Sequence, residues 1–222
     1  MKSLICLILS FIIFSQLAVA QQEASPISKA KQPDYNLLQK QLEEIYDLDQ
    51  NIRKVNFDSI NANPAKANAF FLKMQEVDSL NQRRVLPILE QYGWLPKSKI
   101  GEKASDAIYF VVQHSNLETI EKYLPQMEKL AQQGEASTTD AAAMRDRLLM
   151  FQGKKQLYGT QASNWVREDG AMIIWPIEKV KKVNQRRKKL GFTTSVEENA
   201  KDLGAIYNPQ EELPKKKNSF QN

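Results

Sequence analysis

The chain has 222 residues, with 31 Lys and Arg against 26 Asp and Glu for a net charge of +5, and it contains one cysteine, one histidine and 8 glycines. That inventory excludes a disulfide framework, a thiolate zinc site and a glycine-rich phosphate loop, and a lone histidine leaves too few ligands for catalytic zinc. No calcium-loop pattern is present, so neither a metal nor a cofactor is expected.

Lys2 precedes an apolar stretch from Leu4 to Leu17, and Ala18-Val19-Ala20 supplies the small-x-small pattern of a signal-peptidase site. Residues 1–20 are therefore expected to be a cleaved signal peptide, with export to the periplasm or the medium. The stretch is short for a membrane span, and no positive cluster follows it. Cys6 leaves with it, so the exported chain must fold by burial alone, which about 200 residues can do as one domain. Residues 21–33 are polar, contain Pro26 and Pro33, and read as a disordered linker.

One helix is expected over 34–55, from the N-cap Asp34, with Tyr35, Leu38, Leu42, Ile45 and Ile52 at helical spacing. A turn follows over 56–63. Asn63-Pro64 opens a second helix, which Pro87 should kink or end near Leu86. Further helices are expected over 101–114, 116–133 (interrupted by Pro125) and 139–151. Residues 155–177 are richer in β-branched and aromatic types, and Asp169-Gly170 marks a hairpin between strands at 157–166 and 171–175. A basic helix over 177–190 comes next. Ser195 and Glu198 form a capping box for a last helix to about 206. Residues 208–222 read as a disordered tail. The fold class is mainly α: about seven helices with one small β-hairpin near 157–175, in a single domain over 34–207.

Several polar residues fall on apolar stripes. Asp49 lies between Ile45 and Ile52, Asn81 between Val77 and Val85, His114 behind Val111, and Arg187 between Val180 and Leu190. Burying such groups is costly unless they are paired, so they either form a structural network or line a wet pocket. Asp49 with Arg187 would suit a paired arrangement.

Gly93-Trp94, Gln113-His114, Asp146-Arg147 and the run Gly153 to Gln161, with Gln156, Tyr158, Gly159, Thr160 and Gln161, form a series. Together with Asp49-Gln50 and Arg53, and with Arg187 before Leu190-Gly191, the series resembles a bacterial family classed as domain of unknown function 6624. The resemblance spans about residues 40–207. The chain departs from the family at Ser115-Asn116, where members more often carry Ala-Asp. The family has no established activity, so the resemblance implies positions and no chemistry.

Two functions follow from these residues. In the first, His114 and Asp146 are candidate catalytic residues, with histidine as acid or base and Asp146 orienting it. Gln113, Arg147, Gln156, Tyr158, Gln161, Asp49, Arg53, Asn81 and Arg187 would bind a small polar or anionic ligand, with hydrolysis as one outcome. No nucleophile elbow accompanies them. In the second, the domain is a non-enzymatic module of the cell envelope. Its basic helix, with Lys179, Lys182, Arg186 and Lys189 on one stripe, would contact an envelope polymer or an anionic lipid surface. Export disfavours nucleic acid as a partner. Trp94, Trp165 and Trp175 are expected in the core or at its rim, and Gly159 at a bulge or close backbone approach.

Overall fold

A computed structural model describes residues 32–54, 63–164, 167 and 169–214. The expected signal peptide, most of the linker, the turn over 56–62, Trp165 and residues 215–222 of the expected tail lie outside these. Within them the fold is mainly α, with eight α-helices and one two-stranded antiparallel sheet. No described helix is long and apolar enough to cross a membrane.

Asp34 caps α1 (Tyr35–Arg53) by accepting from the Leu37 N–H. Asn63 caps α2 (Pro64–Tyr92) in the same way, with proline in its first turn. The helix does not end at Pro87. Pro87 sits on the exposed face, where the carbonyl that loses its donor faces water, while Val85 and Leu89 stay buried on the other side. The same holds at Pro125, which is exposed inside α5 (Leu117–Gln132). Between them lie a short helix that the sequence pattern did not suggest, α3 (Lys97–Ile100), and α4 (Glu102–Gln113).

The centre of the bundle is α4, which touches α1, α2, α3, α5 and α6 (Thr138–Phe151). Its Ala104, Ser105 and Ala107 are small enough for neighbouring helices to approach closely, and Ile108, Val111 and Val112 fill the space between. Leu42, Ile45, Ile120, Leu124 and Met144 complete this core. Trp94 and Trp175 are both buried.

A second, smaller core holds Ile174, Ile177, Val183, Val196 and Ala200. Here β1 (Ala162–Ser163) pairs with β2 (Ile173–Ile174), with Ala162 opposite Ile174. The strands are far shorter than expected because side chains claim the backbone ahead of them. The N–H groups of Leu157, Tyr158 and Thr160 donate to Asp146, and that of Gln161 to Gln156. The Asp169-Gly170 turn is present, with Gly170 at φ 69° and the Ala171 N–H on the Asp169 carboxylate.

The basic segment is also shorter than a helix over 177–190. Glu178 and Gln156 are tied by backbone hydrogen bonding, Lys179 adopts a left-handed conformation (φ 46°), and a 3-10 turn (Val180–Lys182) leads into α7 (Val183–Leu190). The capping box of Ser195 and Glu198 starts α8 (Val196–Asp202). That helix stops at Gly204, and Ile206 instead bridges to Ile173.

Candidate functional site

A cavity of about 680 Å³ opens where the ends of α4 and α6 meet the 160–162 segment, the 191–194 turn and α8. From α4 it is lined by Tyr109, Phe110 and Gln113, and at the helix C-cap by His114. Thr139, Asp140, Ala143 and Arg147 line it from α6, with Thr160 and Gln161 opposite. The sequence therefore places Gln113, His114, Arg147 and Gln161 in one site, although they come from three separate segments.

His114 is held from behind. Its ring stacks on Phe110 at 6.2 Å, and its carbonyl accepts from the Gln82 amide at 3.2 Å. Its Nδ1 lies 3.0 Å from Arg53 Nη2 and 3.4 Å from Asp49 Oδ1. Arg53 donates to Asp49 (2.8 Å) and Asp78 (2.6 Å). Burial alone would raise the Asp49 carboxyl, but His114 and Arg53 outweigh it and hold the group below the usual carboxylate range. The carboxylate that meets His114 is thus Asp49 on α1, not Asp146.

Asp49, Asp78 and His114 each offer one ligand atom within 4.8 Å of the others, close enough together for one divalent ion. The Arg53 guanidinium already supplies the positive charge among them, so these residues assemble as an ion-pair cluster.

Asp146 serves the loop. It is fully buried, and its two oxygens accept from the Leu157, Tyr158 and Thr160 N–H groups and from the Thr160 hydroxyl, at 2.7 to 3.2 Å. Burial pushes its carboxyl up to about 6 against the pull of those donors. Gln156 is fully buried as well. Its Nε2 donates to the carbonyls of Gln161 and Trp175, and its Oε1 accepts from Gln161 N–H. Arg187 donates to the Thr194 and Tyr158 carbonyls and the Thr194 hydroxyl and stacks 4.4 Å over Phe192, so it does not pair with Asp49. Tyr158 lines a separate cavity of about 310 Å³ beside the Arg145–Glu128 ion pair. Asn81 is buried and outside the lining of the main cavity, and neither of its amide atoms has a partner among the described residues. Asn116, where the family more often has aspartate, caps α5 through its side-chain oxygen, a task aspartate performs equally well.

Two groups in the cavity wall are unfilled. The Arg147 Nε is enclosed with no partner, and the guanidinium makes no hydrogen bond or ion pair among the described residues, only a contact over the Phe151 ring at 5.8 Å. Burial and the nearby Arg53 lower its pKa, so its charge is held at a cost. Gln113 is 5% exposed, and its Oε1 is enclosed and unpaired.

The sequence reading missed Asp78, Tyr109, Asp140 and Asp106. Asp140 sits seven residues before Arg147 on α6, so helical spacing from the Asp146-Arg147 pair would have found it. Asp78 is four residues before Gln82 on the α2 face that meets His114. Asp106 and Tyr109 stand seven and four residues before Gln113 on α4.

A sequence model of the family of unknown function DUF6624 matches residues 34–209. No curated protein and no solved structure matches the chain.

Proposed function

We propose, for a chain that belongs to this family of unknown function, that the main cavity binds a small anionic ligand on Arg147. One observation carries the reading: a guanidinium facing a cavity of about 680 Å³ with no carboxylate and no carbonyl to hold it. Folding gains little from such a group: the side chain is half-buried, and its enclosed Nε has no partner among the described residues. A carboxylate or phosphate entering the cavity supplies the missing partner in two parallel hydrogen bonds. The His114 ring stands in the same wall, fixed by Arg53 and Asp49. Of the lining hydroxyls, that of Thr160 is already committed to the buried Asp146 carboxylate, and the reading is binding rather than hydrolysis. The character of residues 1–20 supports an export address, which puts the ligand outside the cytoplasm.

The test is isothermal titration with sodium phosphate and with sodium acetate, on the wild type and on Arg147→Gln. Saturable binding that weakens at least tenfold in the variant is expected. Equal binding by both proteins, or none by either, would overturn the reading.

A second reading rests on the exposed lysines 179, 181, 182, 188 and 189, which form a basic surface around α7. Arg186 is drawn out of that surface, since its guanidinium is spent on the carbonyls of Leu157, Glu178 and Lys179. Sedimentation with vesicles of anionic lipid, compared with neutral vesicles, decides this reading. Salt-sensitive co-sedimentation with the anionic set alone supports it.

A further inference from the structure

We propose that the ligand is a basic amino acid, free or at the carboxy terminus of a peptide, with its carboxylate on Arg147 and its side-chain ammonium at Asp140. This deepens the anion-site reading and rests on it.

Two helical stripes contribute to the cavity wall. On α6, Asp140, Ala143 and Arg147 stand at i, i+3 and i+7 and all line it; on α4, Tyr109 and Gln113 line it, and Asp106, three residues before Tyr109 on the same face, lies just outside the lining. Residues so spaced share a helix face. The stripes run in the same sense. Asp106 feels the charge of Asp140, and Arg147 at the other end feels Arg53 and Asp78, the cluster behind His114. Tyr109 stands between the ends and feels both Asp140 and Arg147. Two helical turns separate the poles, about 10.5 Å along the axis at 1.5 Å per residue.

Each pole lacks its complement. Neither Asp106 nor Asp140 forms an ion pair with a cation among the described residues. The Ser137 hydroxyl is the hydrogen-bond partner that pulls on the Asp140 carboxyl, and Lys97 acts on Asp106 only as a weak charge. At the other pole Arg147 is unpaired. A phosphate or a simple dicarboxylate would satisfy Arg147 but would be repelled at the acid end. An amino acid places its carboxylate on Arg147. A basic side chain then carries an ammonium along an apolar stem, past Ala143 and the Tyr109 ring, to the Asp140 carboxylate.

Isothermal titration of the full chain with L-lysine, L-norleucine (which lacks the ε-ammonium) and L-lysinamide (which lacks the carboxylate) tests this on the wild type without any variant. Lysine is expected to bind at least tenfold more tightly than either analogue, and the gap between lysine and norleucine should close in Asp140→Asn. Glycyl-L-lysine separates the sources: tighter binding than lysine assigns a peptide end, weaker binding a free amino acid. Norleucine equal to lysine, or phosphate and acetate bound but lysine not, would overturn the proposal and leave the anion site standing. If no anion binds at all, both readings fall.

Discussion

At the residue scale, two polar groups of the same helix have opposite fates. Asp146 and Arg147 are adjacent on α6, and both are candidate site residues by sequence. Asp146 is saturated by donors from the 157–160 loop, while Arg147 faces open space with none. The first therefore holds the fold, and the second is held by it. Replacing Asp146 with alanine strands three backbone N–H groups in the interior, each costing about 1–3 kcal/mol. Asp146→Ala is expected to lose at least ~3 kcal/mol in urea denaturation; a loss below 1 kcal/mol would mean that water reaches those donors.

The stripe argument located buried polar residues well. Asp49, Asn81 and Arg187 are each 1% exposed, as their positions between apolar neighbours require. It could not supply their partners. Asp49 and Arg187 have opposite charges and suited each other on paper, yet they meet Arg53 and backbone carbonyls instead. Helical periodicity fixes which way a side chain faces, whereas pairing depends on which helices become neighbours. That information lies in the tertiary packing around α4. For the same reason Asp78, which closes the Arg53 cluster from α2, carried no signal of its own.

At the element scale, the 156–161 segment shows how side chains can override a strand pattern. Its alternation and its glycine read as one arm of a hairpin. Asp146 and Gln156 take its backbone hydrogen bonds first, and pairing begins only at Ala162. Gly159 makes the close approach possible. Its φ is 69°, and a Cβ there would come within 2.5 Å of Val196 Cγ2 and 2.9 Å of Ile177 Cδ1. Gly159→Ala is expected to destabilise by about 2 kcal/mol or more, combining backbone strain with overpacking of the smaller core. Because this core positions Thr160 and Gln161 in the cavity wall, the variant should also weaken anion binding; a variant with wild-type stability would contradict the contact. The prolines give the reverse lesson. Pro87, expected to kink or end its helix, and Pro125, expected to interrupt its own, both lie inside continuous helices, each on an exposed face.

At the scale of the whole molecule, the carboxylates split into two groups with opposite pH signatures. Asp49 is depressed by His114 and Arg53, so it adds stability above its ordinary range near 3.8 and loses it as pH falls through the lowered value. Asp106 is raised to about 6, by burial first and then by Asp140 and Glu102. A raised carboxyl has the reverse sign: the folded state holds its proton more tightly, so stability falls as pH climbs from about 4 to 6. Asp140 is raised too, again chiefly by burial. Chemical denaturation across this range should show stability declining from pH 4 to 6, with Asp106→Asn flattening part of the slope. An unchanged slope in the variant would place the decline elsewhere.

On the anion-site reading, the protein sets aside a charged group for a ligand at the expense of its own stability. The most direct test is urea unfolding of the wild type and Arg147→Met, each with and without saturating phosphate. Methionine keeps the apolar stem and removes an unpaired charge, so the variant is expected to be at least as stable as the wild type, and phosphate should stabilise only the wild type. A variant that loses several kcal/mol, with phosphate affecting both proteins alike, would show that Arg147 holds the fold together and would contradict the central claim.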